Sequence, residues 1–176
     1  PDGRGPARFL GGAWQAVAVT TTHGSWAVQT VDGADVRLRS GKVGLINVDV
    51  SAPVSGGELH VTGENVEFTL LLALDELRTG NFLVQAAART LVTRHDARVL
   101  SYSGTGPSSG APWVVTGNAV AGNVDVEIVL TVSAVGTTHP LDEIEIAGSA
   151  SFGTVHLPLP GMGTVDDFMI DLDAKL

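Results

Sequence analysis

Four arginines, Arg78, Arg89, Arg94 and Arg98, fall within one stretch, ELRTGNFLVQAAARTLVTRHDAR (76–98). A guanidinium makes charge-assisted and often bidentate hydrogen bonds to phosphate or carboxylate, so a cluster of this kind suits an anionic group. Other reactive residue types are dispersed. His23, His60, His95, His139 and His156 show no pair at a helical or hairpin spacing that would hold a metal. The absence of cysteine excludes thiolate nucleophiles, thiolate metal sites and a disulfide framework, and no nucleophile elbow is expected. GTGPSSG (104–110) has the glycines of a phosphate loop. It contains Pro107 and leads into another strand pattern, so no helix N-terminus follows to hold a phosphate, and it reads as a plain loop. The acidic pairs Asp142-Glu143 and Asp166-Asp167 read as solvated strand ends. No catalytic residue, metal or cofactor is expected.

The basic stretch stands out against its background. The chain has 176 residues and a net charge of −9, with 22 glycines and 44% hydrophobic residues. Residues 1–77 hold nine acids and five Lys/Arg, and 78–98 hold four Arg and one acid. Residues 99–176 hold nine acids and only Lys175. An acidic chain lacks the basic footprint of a nucleic-acid binder, but a local basic patch can still meet a small anion. No apolar run is long enough to span a membrane as a helix. The lack of cysteine is equally compatible with a bacterial cytoplasmic protein and a secreted or periplasmic one.

The elements that must position these residues are mostly strands. AWQAVAVTT (13–21), SWAVQTV (25–31), DVRLRS (35–40), KVGLINVDV (42–50) and GELHVTG (57–63) are the early strand candidates, with APVSGG (52–57) as a turn. NVEFTLLLAL places Val66, Phe68, Leu70, Leu72 and Leu74 on one face. Later strands align Val126, Ile128, Leu130 and Val132, then Ile144 and Ile146, then Phe168, Ile170 and Leu172, with acids on the opposite faces. Between these halves the period changes. FLVQAAARTLV has no β-type alternation and is rich in Ala, Leu, Gln and Arg, which are good helix formers; Gly80-Asn81 supplies an opening turn, and one helix is expected within about residues 76–95. So many alternating strands point to an all-β, antiparallel barrel or sandwich, and the barrel is favoured because it leaves no exposed edges. Residues 1–12 read as a flexible leader and 13–176 as a single domain. The three tryptophans, Trp14, Trp26 and Trp113, are expected to fill the interior or plug one end. The repeated TGN (79–81 and 116–118) reads as turn chemistry.

Around LDELRTGN (74–81), and over about residues 13–173, the chain resembles the YceI-like family of lipocalin-like barrels that hold polyisoprenoid lipids. HGSWAVQT (23–30) is similar to that family's opening His-Ser strand, with a glycine inserted. ELRTGNFLVQAAARTLV occupies its helical lid, PWVVTGNAVAGNVDVEIVLTV (112–132) its central hairpin and AGSASFGTVHLPLP (147–160) its late segment. The lid departs from the family pattern. Val84-Gln85 stand where Arg-Asp is usual and Ala87-Ala88 where His-Leu is usual, so this lid is more apolar.

The resemblance implies non-catalytic binding or transport of a long apolar lipid, a polyprenyl phosphate or a quinone tail, in the barrel interior. The cavity lining is then expected from Trp26, Phe68, Leu70, Leu72, Phe82 and Trp113, together with Ile128, Leu130, Ile144, Ile146, Phe152 and Ile170. Phe82, Leu83, Ala86 and Ala87 of the lid would be available to the tail. Arg78, Arg89 and Arg94 would ring the mouth, to meet a head group or, transiently, a membrane surface. A lipid-processing enzyme using the same cavity and a filled barrel serving as an interaction module are the alternatives.

Overall fold

The computed structural model describes residues 24–28, 34–43, 46–135, 143–156 and 164–176. The strand and leader expected within residues 1–21, and with them Trp14, lie outside the described residues.

Among the described residues eleven strands and one α-helix follow in order: β1 Gly24–Ala27, β2 Asp35–Val43, β3 Ile46–Val61, β4 Asn65–Ala73, α1 Phe82–His95, β5 Val99–Pro107, β6 Trp113–Ala121, β7 Val124–Val135, β8 Glu143–Phe152, β9 Val155–His156, β10 Thr164–Val165 and β11 Phe168–Lys175. A 3-10 turn, Leu74–Glu76, lies between β4 and α1. From β2 to β8 each strand pairs antiparallel with the next, and β11 joins β8 to β2. The β3–β4 pairing closes the ring, giving an eight-strand antiparallel barrel with β1 added on β3. The expected all-β barrel with one inserted helix is what the chain forms.

Alternation decides the two faces, as expected from the pleat. Val66, Phe68, Leu70 and Leu72 of β4 are buried, as are Ile128, Leu130 and Val132 of β7 and Ile144, Ile146 and Ala150 of β8. All belong to one core cluster inside the barrel. The outer wall carries ladders of charge: Arg37 with Asp49 (2.5 Å), Arg39 with Asp173, and Lys175 with Glu145 (2.5 Å). Asp49 is held below the usual carboxylate range by its hydrogen bonds from Arg37.

Two turn expectations fail. APVSGG (52–57) does not turn but runs straight through β3, which is 16 residues long. Residues 46–53 of that strand pair with β2, residues 54–61 pair with β4, and a bulge falls between Val54 and Gly56. Ser51 N–H and C=O bond Arg78 on the edge away from β2. Pro53, two residues on, therefore has its missing N–H on that edge, between the Ser51 bridge and the start of the β4 ladder, where it costs no ladder bond. The second TGN lies within β6. Its Gly117 is required by close approach, since a Cβ there would collide with the backbone of Ser103 and Gly104 on β5.

Candidate functional site

One end of the barrel gathers the irregular structure. The ends of β4 and β8 and the starts of β5 and β11 meet there, with the β6–β7 turn and α1, which leaves β4 and returns to β5. Asn81 caps the helix, its side-chain oxygen accepting from Leu83 N–H (3.0 Å) and Val84 N–H (3.4 Å). Gln85 Nε2 donates to the Leu77 carbonyl at 2.7 Å. At the other terminus Asp96 adopts a left-handed conformation, with φ of 48°. His95 Nδ1 lies 2.8 Å from Asn123 Oδ1 in the β6–β7 turn. Gly122 in that turn has φ of +59°, and any Cβ there would meet the His95 carbonyl. Both ends of the helix are therefore tied down.

The inner face of α1 presents Leu83, Ala87 and Leu91, which pack with Phe152, Val165, Phe168 and Ile170. Phe152 and Phe168 lie on β8 and β11, which stand across the ring from β4 and β5. The helix therefore spans the mouth. Its periodicity corrects the expected lid surface. Leu83 and Ala87 face the barrel, while Phe82 and Ala86 face away, and Phe82 is 79% exposed. At about 100° per residue, burying Val84, Ala87 and Leu91 turns positions 82 and 86 outward.

The remaining expected lining residues divide by depth. Phe68, Leu70, Leu72, Trp113, Ile128, Leu130, Ile144 and Ile146 are buried in the barrel core, with Trp26 and Phe152 packed against it. Ile170 lies in the smaller cluster under the helix. At the far end the packing is dry: Val36, Leu59, Val61, Val66, Val115 and Val132 are each 0–2% exposed. Trp113 plugs that end, its ring N–H donating to the Ser108 carbonyl at 3.3 Å. Toward the helix the inward-facing side chains Leu38, Val48, Leu100, Val126, Phe152, Ile170 and Leu172 keep part of their surface accessible. Most of the larger partly accessible inward side chains thus lie toward the helix, with Ala34, Ala134 and Leu176 partly accessible at the far rim. Leu38, Val48 and Leu100 were not among the expected lining residues, although Leu38 sits in the clean alternation of DVRLRS.

Polar groups inside are few. Tyr102 is 3% exposed, and its hydroxyl donates to the Val115 carbonyl at 3.0 Å. Burial pushes its pKa up to about 12. Among the described residues no group of three or more His, Asp or Glu could hold a metal. The letters G-x-S-x-G do occur at 106–110, a match the sequence reading passed over. Ser108 sits there in a strand-to-strand turn at the far end, its N–H donating to the Glu64 carbonyl. A nucleophile elbow requires a strand-to-helix turn.

The arginines do not act as one group. Arg78 precedes the helix, and its backbone bridges Ser51. Its guanidinium lies 3.7 Å from Asp35, beside an outer-wall cleft of about 420 Å³ that Arg37, Asn47 and Asp49 also line. Arg89 stands exposed on the outer side of α1 with Thr90 and Thr93, while Arg94, also exposed, lies near the helix end on the line of Ala87 and Leu91. Arg98 lies past the helix, 3.9 Å from Asp96.

No family model and no curated protein matches the chain. Solved structures similar to it include Burkholderia cenocepacia BcnA, at 13% identity over 81% of this chain and 96% of that one, with a TM-score of 0.48. A polyisoprenoid binding domain from Saccharophagus degradans, implicated in plant cell wall breakdown, is 12% identical over 88% of this chain and 98% of that one, also with a TM-score of 0.48.

Proposed function

We propose that the barrel binds a long apolar lipid of isoprenoid type in the helix-end half of its interior and catalyses no reaction on it. The observation that carries this reading is the contrast along the barrel axis. Inward-facing Leu100, Val126, Phe152 and Leu172 retain accessible surface, whereas the far end is sealed by side chains such as Val61, Val115 and Val132. Accessible apolar surface that points inward is the form of a small-molecule site for a tail. Burying it contributes roughly 25 cal/mol per Å² before ordering costs. The YceI-like resemblance of the sequence supports the isoprenoid class. A binding role is further supported by the interior chemistry: the only titratable side chain in the described barrel core is Tyr102, already bonded to a backbone carbonyl.

The sealed half also favours a second reading, a filled barrel acting as an interaction module. Native mass spectrometry of the protein purified from its own host separates the two. A bound lipid mass that is lost on delipidation is expected, and a bare chain mass under gentle conditions would favour the filled barrel.

A further inference from the structure

At the helix end the strand ladders break on both sides of one ribbon. Between β7 and β8 the pairing runs from Val135–Glu143 to Val129–Ser149 and stops. Beyond it β7 continues to Val124 paired with β6 alone, and β8 continues to Phe152 paired with β11 alone. Between β11 and β2 the pairing runs from Asp173–Arg37 to Ile170–Ser40, so Phe168 and Met169 also pair with β8 alone. A bulge in β2 between Arg39 and Lys42 accounts for that end, because a bulge bends its strand and disrupts the ladder. The tip of the β8–β11 ribbon therefore carries no ladder on either flank among the described residues. Within itself the ribbon is continuous. Phe152 pairs with Phe168, and Phe168 N–H donates to the Gly153 carbonyl at 3.4 Å. The Thr154 hydroxyl donates to the Asp166 carboxylate at 2.6 Å, and β9 pairs with β10.

The third boundary of the tip is α1, and it is apolar. Phe152, Val165, Phe168 and Ile170 pack with Leu83, Ala87 and Leu91. The described hydrogen bonds that fasten the helix run instead to the Leu77 carbonyl and to Asn123, on the β4 side and in the β6–β7 turn. Raising the helix would break those bonds. Lifting the ribbon tip parts only apolar contacts, so the tip belongs to the low-stability end of the structure, from which moving elements are drawn. The side chains around and beneath it are among those that keep accessible surface: Val126 on β7, Leu38 on β2, and Phe152, Ile170 and Leu172 on the ribbon.

We propose that the β8–β11 tip, residues 150–152 and 168–169, is the gate to the interior. It swings away from α1, β7 and β2 about the Ser149 and Ile170 pairs, while the helix stays in place. What passes through it rests on the lipid-binding reading; the motion does not. Thiol labelling of lipid-free protein tests the motion, since the chain has no native cysteine. Ala150 and Ala119 are 2% and 6% exposed, each two residues from its strand's helix-end terminus, but Ala119 is laddered on both sides. Ala150→Cys is expected to react with a maleimide at least about tenfold faster than Ala119→Cys, as opening confined to the ribbon requires. Equal rates, or a faster Ala119→Cys, would overturn the gate and assign the opening to the helix. A second measurement follows uptake of a polyprenyl alcohol by native mass spectrometry. Bridging Glu127→Cys to Ser151→Cys with a short bis-maleimide closes the β7–β8 flank and is expected to slow uptake about tenfold. The same bridge between Thr131→Cys and Ala147→Cys, across the laddered part of these strands, is expected to leave uptake unchanged. Unslowed uptake in the first bridged variant, or equal slowing in both, would overturn the gate. Fast labelling of Ala150→Cys in a chain that never loads lipid would refute the ligand reading and leave the gate standing.

Discussion

Tyr102 is the chain's single tyrosine, so its ionisation can be followed by tyrosinate absorbance without interference from another. Its hydroxyl is buried against the Val115 carbonyl, and desolvation raises its pKa to about 12. Because the folded pKa lies above the unfolded value of about 10, the unfolded chain loses this proton first. The contribution to stability is complete below about pH 10 and is lost as pH rises toward 12. The predicted titration is therefore displaced upward, or coincident with unfolding. A midpoint near 10 in folded protein would show the hydroxyl to be solvated. Tyr102→Phe removes this dependence together with the hydroxyl's bond to the Val115 carbonyl, at an expected cost of about 1 kcal/mol in denaturant unfolding. Leu130, 2% exposed in the core, is expected to cost about 2–5 kcal/mol as Leu130→Ala.

At the scale of elements, α1 is a strap fastened at two points, and each can be weakened separately. Asn81→Ala removes the cap from Leu83 and Val84 N–H and is expected to cost about 1 kcal/mol. Faster amide exchange should be confined to α1, with the barrel strands unchanged. Uniform acceleration across the strands would contradict a locally fastened helix. Gly122→Ala acts at the opposite end through both the positive φ and the displaced His95 carbonyl, and should be the more damaging of the two.

These elements also show how far the sequence could be read. Strict alternation made β4, β7, β8 and β11 legible, and with them most of the buried face, because a strand with one side in a core has little freedom of register. APVSGG was misread because Pro and Gly ordinarily mark turns. In β3 Pro53 falls in a gap between partners on one edge, a fact of ring closure that no local pattern carries. The helix itself was legible from its change of period, but the side facing the barrel was not. Phe82 is the largest apolar residue of its first turn and points outward, since Ala87 must pack against Phe168 on a strand far away in sequence.

For the whole molecule, the barrel divides into a sealed half and an accessible half under a strap. The candidate site belongs to the accessible half. Residues recognised by alternation, such as Phe68 and Leu130, are fully buried in the core, while Leu38, Val48 and Leu100 keep part of their surface accessible. Depth along a barrel axis is set by the stagger of all eight strands together, so it is invisible in any one strand's pattern. The most direct test loads delipidated protein with a polyprenyl alcohol and counts bound lipid by native mass spectrometry. The parent chain and a far-end Val132→Ala variant are predicted to retain lipid, and Val126→Glu to lose affinity by at least about tenfold, since an unpaired charge would lie where the tail must. Equal retention by Val126→Glu, or lipid lost through Val132→Ala alone, would contradict a site at the helix end.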